Sequence, residues 1–599
     1  MKSDRRFRVK TISGIGFLLT GIFSLIWFYG YNRFQIFYYQ EQAQLFRFDV
    51  LYLSGFFRQP GGLIDYAGAF LTQFFYIQWL GALIYTLIGL ALAWTFYKAC
   101  SRSGDIDALF FIPIIPVALM LIISAGLHFR LSYSLGLLVA CAAFLLYVGL
   151  KYPLRYVAGF LLFLVTYAVA GGNALVLTVL ILLYELFGKK QAYTYPYLCV
   201  LLALTALIPC MAWRWIYVAP IKTAYFAMTA PCVPYPTLFT DLFWLSVPAL
   251  YLLWRILNLS KTPWIEKHEG VLSGASCVLT AGLFVSVCST YNKTSETING
   301  MSYEVRHDHW DKVLEIGSQN KSSSRLITYF TNMALYETGR MADQLFLYPQ
   351  FGTAGLFLDR SMTPYAVSFI GEVYYCLGMM PVAEQGTFEA MVSWSKQPKA
   401  DALSRLVTTN MLRGDYGASS KYIRAFEHTL FYREWAKQQR VYLQHIKEDP
   451  TFVPPHTPGQ AQYDNSFINF DTPDRTLTRL LEGDPNNKGA FEYLMAYNLL
   501  DRDVEGFKLL MDRYYDNFNY PSMPVSYEEA LLVYENAGLG DQPYQISEAT
   551  RKRFSKYLQY TKSSNDIRTI ELLFGKTYWF YLQFTQPVSL QSTTDSNRY

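Results

Sequence analysis

Long apolar runs fill the first half of the chain and then stop. A helix needs roughly 20 mostly apolar residues to cross a bilayer. Runs of that kind fall near 11–30, 78–98, 108–126, 132–150, 156–172, 174–188, 195–213, 238–257 and 270–290. The fifth and sixth are short and parted only by Gly171-Gly172-Asn173, so they read as a tight hairpin or as two half-crossing helices. From 303 to 586 the pattern turns amphipathic, with runs such as "HWDKVLEIGSQ", "SRLITYFTNMALYETG" and "ADALSRLVTTNMLRG" between short breaks. Apolar residues there recur at helical spacing, and strand signals are almost absent. The expected fold is all-α. A short segment, 1–10, leads into a polytopic transmembrane helical domain, 11–290, with about nine helices. An α-helical repeat domain, 291–599, follows.

The loop between the first two runs, 31–77, is unusually long. Its first part, "YNRFQIFYYQEQAQLFRFDVLYLSGFF", is rich in Phe and Tyr, which favour the membrane–water boundary. In "RQPGGLIDYAGAFLTQFF", Pro60 disfavours helix for the residue before it, and Gly61 and Gly62 permit a sharp reversal. Beyond them Leu63, Tyr66, Phe70 and Phe74 share helical spacing. The loop reads as two interfacial helices hinged at Pro60, Gly61 and Gly62.

In the second half, "IGEVYYCLGMMPVAEQGTFEA" sets Gly371, Tyr374, Gly378, Ala383 and Ala390 on the small and aromatic positions of the 34-residue tetratricopeptide pattern. Small residues there let paired helices approach, and the aromatic fills the gap between pairs. "RGDYGASSKYI" and "ALYETGRMADQLF" echo the pattern more loosely. Such arrays leave a concave groove suited to protein partners, or they pack down as a lid. A Pro-rich connection, 448–474, interrupts the array.

Charge adds an orientation. Fourteen Lys and Arg flank the apolar runs on the side of the N-terminus, against six on the other: Arg33, Arg47, Arg58, Arg130, Arg214 and Lys222. The positive-inside rule sets the N-terminus in the cytoplasm, and an odd span count then sets the repeat domain outside it. The expected location is a bacterial inner membrane with a periplasmic carboxy-terminal domain. Over 599 residues, hydrophobic content of 52% and charged content of 16% suit that arrangement. A net charge of +5, dispersed along the chain, gives no footprint for nucleic acid. Eight cysteines sit mostly in apolar runs and form no disulfide framework; a Cys210–Cys232 bridge and two free thiols are both open.

Chemistry is sparsely signalled. Glu41, Asp49 and Asp65 lie in the 31–77 loop, where carboxylates are either paired with Arg33, Arg47 and Arg58 or positioned as a general base. Arg130, Arg214 and Lys222 either snorkel to headgroups or grip a lipid phosphate. "DID" at 105–107 resembles a D-x-D sugar-nucleotide motif but has no globular fold around it. His307 and His309 form the one close histidine pair, read as surface residues, so no metal site is expected and no cofactor is assigned. Nucleotide-binding loops, nucleophile elbows and zinc-protease motifs are absent from the sequence.

Two resemblances follow. "YYQEQAQLF…PGGLIDYAGAFLTQFFYIQWLGAL", with "TGRMADQLF", "LRGDYGASSKYI" and "GTFEAMVSW", resembles a multi-pass inner-membrane family of Bacteroidota catalogued as a domain of unknown function. The architecture is also similar to the C-type membrane glycosyltransferases, some of which carry tetratricopeptide repeats. That second resemblance implies an outer-loop carboxylate acting at the acceptor, here Asp49 or Asp65 and less readily Glu41, and a sugar donor on polyprenyl phosphate. This chain lacks a tight acidic pair in the loop and has fewer spans than that superfamily. The expected function is cell-envelope biogenesis, as a glycosyltransferase-like enzyme using a polyprenyl-phosphate sugar. The alternative is a non-catalytic scaffold whose helical repeats bind periplasmic proteins at a membrane-lipid anchor.

Overall fold

The computed structural model describes residues 2–103, 112–188, 191, 193–259, 263–320, 324–360, 362–394, 399–455, 457–458, 472–540, 543–563 and 566–586. Within the helices at 2–13, 258–259, 263–273, 276 and 393–394, only the backbone is described. The chain is all-α: no strand forms among the described residues, and pairing is limited to one isolated bridge at Phe351 and Thr353. It divides into two compact units, residues 1–296 with 428–431, and 297–427 with 432–599.

The first unit is that of a membrane protein. Among the described residues, five helices are long and apolar enough to cross a bilayer: Gly14–Tyr31, Gln78–Ser103, Leu131–Gly149, Thr194–Trp215 and Leu238–Leu257. Four more apolar stretches are helical but shorter: Ile112–Ser124, Leu154–Ala170, Asn173–Leu186 and Cys277–Ser289. At 1.5 Å rise per residue, a 14-residue helix such as Asn173–Leu186 extends only about 21 Å, short of a hydrocarbon core of about 30 Å. Leu154–Ala170 and Asn173–Leu186 meet at a tight turn in which Gly171 takes φ +60°. Asn173 secures that turn: it is fully buried, its amide donates to the carbonyls of Ala170 and Met228, and its carbonyl accepts from the Trp244 indole at 3.0 Å. Cys210 and Cys232 are free thiols, so no bridge forms between them.

The 31–77 loop contains more helical segments than the two expected. Two short π-helices, Ile26–Tyr31 and Arg33–Tyr38, carry the chain out of the first apolar run. After them come Val50–Phe56 and Gly62–Thr72. The break between that pair holds Pro60, Gly61 and Gly62. Gly61 takes φ +77°, and a Cβ on Gly62 would fall 1.8 Å from the Phe56 carbonyl oxygen. Gly61 also abuts Gly171, so one glycine turn nests on another.

The second unit is built of successive helix pairs, among them Ile370–Cys376 with Met380–Trp394 and Ala400–Leu412 with Tyr416–Glu427. Gly371 lies where the first pair crosses. A Cβ there would meet the Ala383 carbonyl oxygen at 2.8 Å, and Gly386 faces it from the other helix. Ala383 and Ala390 are buried, Tyr374 is buried beside Phe357, and Gly378 ends its helix with φ +72°. The unit also encloses a buried ion cluster. Glu372 accepts from Arg306 at 2.9 Å and from Arg405 at 2.6 Å, and the Arg405 guanidinium lies 3.6 Å above the Tyr375 ring. Burial alone would raise the Glu372 carboxyl, but the two guanidinium groups outweigh it and hold it below the usual range. Most of the Pro-rich connection at 448–474 lies outside the described residues.

Candidate functional site

Helix Gly62–Thr72 turns a face of small and polar residues inward: Gly62, Asp65, Gly68, Ala69 and Thr72 are buried, with Ile64 the large apolar exception. Gly68 lies directly against Ser132 of Leu131–Gly149, the close approach that small residues allow between apolar helices. The apolar stripe faces elsewhere. Leu63 and Phe70 are exposed, and Tyr66, Phe70 and Phe74 join an aromatic cluster with Phe46, Phe48, Phe56 and Phe431.

This rotation brings Asp65 under the start of Leu131–Gly149. Its carboxylate, 8% exposed, lies 3.8 Å from the Arg130 guanidinium, whose side chain is 45% exposed. Arginine presents five N–H donors, and this separation exceeds hydrogen-bond length, so the guanidinium holds charge against Asp65 without being locked to it. Tyr133 and Tyr52 lie within electrostatic reach of Asp65, and Tyr133 also within reach of Cys232. His128 packs on the Tyr235 ring with centroids 4.8 Å apart.

The other expected acids have different surroundings. Asp49 is the N-cap of Val50–Phe56: one carboxylate oxygen accepts the Tyr52 N–H at 2.6 Å, and the other lies 3.4 Å from Arg47. Glu41 is buried and accepts from the Gln42 amide at 2.6 Å. Among the cations, Arg214 ends helix Thr194–Trp215 and Lys222 lies in Ile221–Phe226, both exposed. No hydrogen bond or ion pair joins either one to Asp65 or Arg130 among the described residues. The D-x-D at 105–107 lies outside the described residues. His307 binds the Tyr303 carbonyl and His309 binds Glu304, and no group of three metal-ligating side chains occurs among the described residues.

Two buried carboxylates carry roles that sequence reasoning missed. Glu185 accepts from the Tyr147 hydroxyl at 2.8 Å and from Arg155 at 3.0 Å, tying three apolar helices together. Tyr147, Arg155 and Tyr156 bond its two oxygens between them, which marks it as a brace. Glu296 accepts the backbone N–H groups of Phe34 at 2.9 Å and Gln35 at 2.7 Å, closing the start of the second π-helix. Burial pushes the Glu296 carboxyl up to about 7, against the pull of those N–H groups and of Arg33. Glu185 was visible as an acid near a span end. Glu296 gave no local signal, because its partners precede it by more than 260 residues.

No curated protein and no solved structure matches the chain. A family match does exist, and it extends over residues 7–585, which takes in both units and nearly the whole chain. The chain therefore belongs to DUF6057, a family of unknown function.

Proposed function

We propose that this is an inner-membrane enzyme of cell-envelope biogenesis, similar to glycosyltransferases, that transfers a sugar from a polyprenyl-phosphate carrier. In this reading all nine apolar helices enter the bilayer. The N-terminus is cytoplasmic, and the 31–77 loop and the second unit are periplasmic. The observation that carries the reading is the Asp65–Arg130 pair: a buried carboxylate next to a half-exposed guanidinium, among aromatic residues at the end of an apolar helix. Arg130 turns toward the donor phosphate, freeing Asp65 to act as base. The acceptor hydroxyl oxygen attacks the anomeric carbon, and Asp65 takes its proton. The bond from that carbon to the phosphate oxygen breaks, and polyprenyl phosphate leaves with the electron pair. Asp49 and Glu41 drop to supporting parts, since capping and local hydrogen bonds already occupy them.

The competing reading is a membrane-anchored scaffold, favoured by the clefts between helix pairs in the second unit. Separate Asp65→Asn and Asp49→Asn variants decide between them, with envelope glycans profiled at matched protein abundance. Removing a general base costs roughly 100-fold or more in rate. Asp65→Asn should therefore lose product while Asp49→Asn, which keeps a capping side chain, retains it. Normal glycans in both variants would support the scaffold.

A further inference from the structure

Helices Gly62–Thr72 and Leu131–Gly149 meet through two neighbouring contacts. In one, Asp65 faces Arg130; in the other, about a turn further along, Gly68 lies against Ser132. Ser132 therefore sits beside the acid–guanidinium pair. It is only 2% exposed, yet its hydroxyl has no hydrogen-bond partner among the described residues. A buried hydroxyl left unpaired costs free energy unless an acceptor meets it. The helix that Ser132 opens is also uncapped: Arg130 holds the N-cap position, and its side chain makes no bond to the first turn. The first N–H groups of a helix lack partners within it and carry partial positive charge, a setting that favours an anion. Asp65 brings negative charge to this place, but at 3.8 Å it stands beyond hydrogen-bond length from Arg130.

We propose that Ser132, Arg130 and the first turn of Leu131–Gly149 form a phosphoryl-binding site, with the Ser132 hydroxyl donating to one phosphate oxygen and the Arg130 fork to the others. A phosphate has oxygens enough for a hydroxyl, a guanidinium and a helix-end N–H together. The inference rests on the sugar-transfer reading for its ligand, the phosphate of a polyprenyl carrier, and adds Ser132 as the residue that fixes the phosphate once Arg130 has left Asp65. Gly68 is what lets Ser132 lie so close to the acid-bearing helix, since a Cβ there would fall 2.7 Å from the Ser132 Cβ.

The test uses the full chain in lipid nanodiscs, with polyprenyl phosphate, polyprenol and inorganic phosphate as probes and with affinity and thermal midpoint as readouts. Polyprenyl phosphate should bind saturably, and polyprenol should not. Ser132→Ala should weaken that binding at least tenfold while its ligand-free midpoint holds or rises, because the change deletes an unpaired hydroxyl; a serine with a structural role alone gives no such split. Ser134→Ala deletes another buried, unpaired hydroxyl about 200° round the same helix and should bind as the native chain does. Should Ser132→Ala not fold, Ser132→Cys, a weaker donor of similar size, reads the same loss. Competition by inorganic phosphate at similar affinity makes the free anion the ligand, and failure to compete makes it the lipid; either supports the site. Native affinity in folded Ser132→Ala beside a loss in Arg130→Gln, or an equal loss in Ser134→Ala, overturns this inference and leaves the sugar-transfer reading standing. No binding of either phosphate by the native chain overturns both.

Discussion

Asp65 and Arg130 face each other across 3.8 Å, the acid buried and the guanidinium half in the open. That asymmetry separates a reactive pair from a bracing one. The Glu185–Arg155 pair is the contrast, with its acid buried and bonded on both oxygens. If the Arg130 fork grips phosphate, a lysine in its place keeps charge but loses the two-pronged geometry. Arg130→Lys should lower envelope product about tenfold, in line with the loss of one charged hydrogen bond, while the thermal midpoint in detergent holds. Glycan profiling and thermal unfolding of the same preparation check this.

Asp49 is expected to behave as a cap. Asp49→Ala removes the side chain that holds the Tyr52 N–H and should cost about 1 kcal/mol, whereas Asp49→Asn should cost little. Denaturant or thermal unfolding of the two variants side by side gives the comparison.

The apolar runs and the helix break at Pro60, Gly61 and Gly62 were legible because each is a local property of composition or backbone freedom. Asp49 was legible too, as an acid directly before "VLYLSGF", an N-cap signal that the functional reading of the loop obscured. The partner of Asp65 was not. The loop's own arginines were the expected counter-charges; Arg47 does reach Asp49, but Asp65 meets Arg130 from beyond the next two apolar helices. The helix rotation that makes this contact comes from Gly68 on Ser132, a steric fit that no hydrophobic pattern records. Periodicity marks Leu63, Tyr66, Phe70 and Phe74 as one stripe but does not say which face packs inward; close helix packing chose the small face. The second π-helix escaped notice because its partner, Glu296, lies at the other end of the unit.

Glu372 holds two buried arginines in the second unit. Glu372→Gln leaves both charges without a counter-ion and should destabilise the unit by about 3–5 kcal/mol. Paired replacement of Arg306 and Arg405 along with Glu372 should cost less than the three single changes summed, measured by denaturant unfolding.

Burial of Glu529 predicts a pH dependence for the second unit. Burial pushes its carboxyl up to about 7, while the Tyr578 N–H and Arg553 draw it back only in part. Its folded value exceeds the unfolded one, so the folded state binds more protons between about 4.5 and 7. Stability from this group is fully present below that window, falls as pH rises through it and is flat above. The change is on the order of 3 kcal/mol, and Glu529→Gln should flatten it. Unfolding measured from pH 4 to pH 8 in both proteins reads the difference directly.

The most direct measurement is the affinity of the purified protein, in lipid nanodiscs, for a polyprenyl phosphate, compared between the native chain and Arg130→Gln. The account predicts saturable binding that weakens at least tenfold in the variant, with Asp65→Asn still able to bind. Equal affinity in the native chain and Arg130→Gln, or no binding by either, would contradict it.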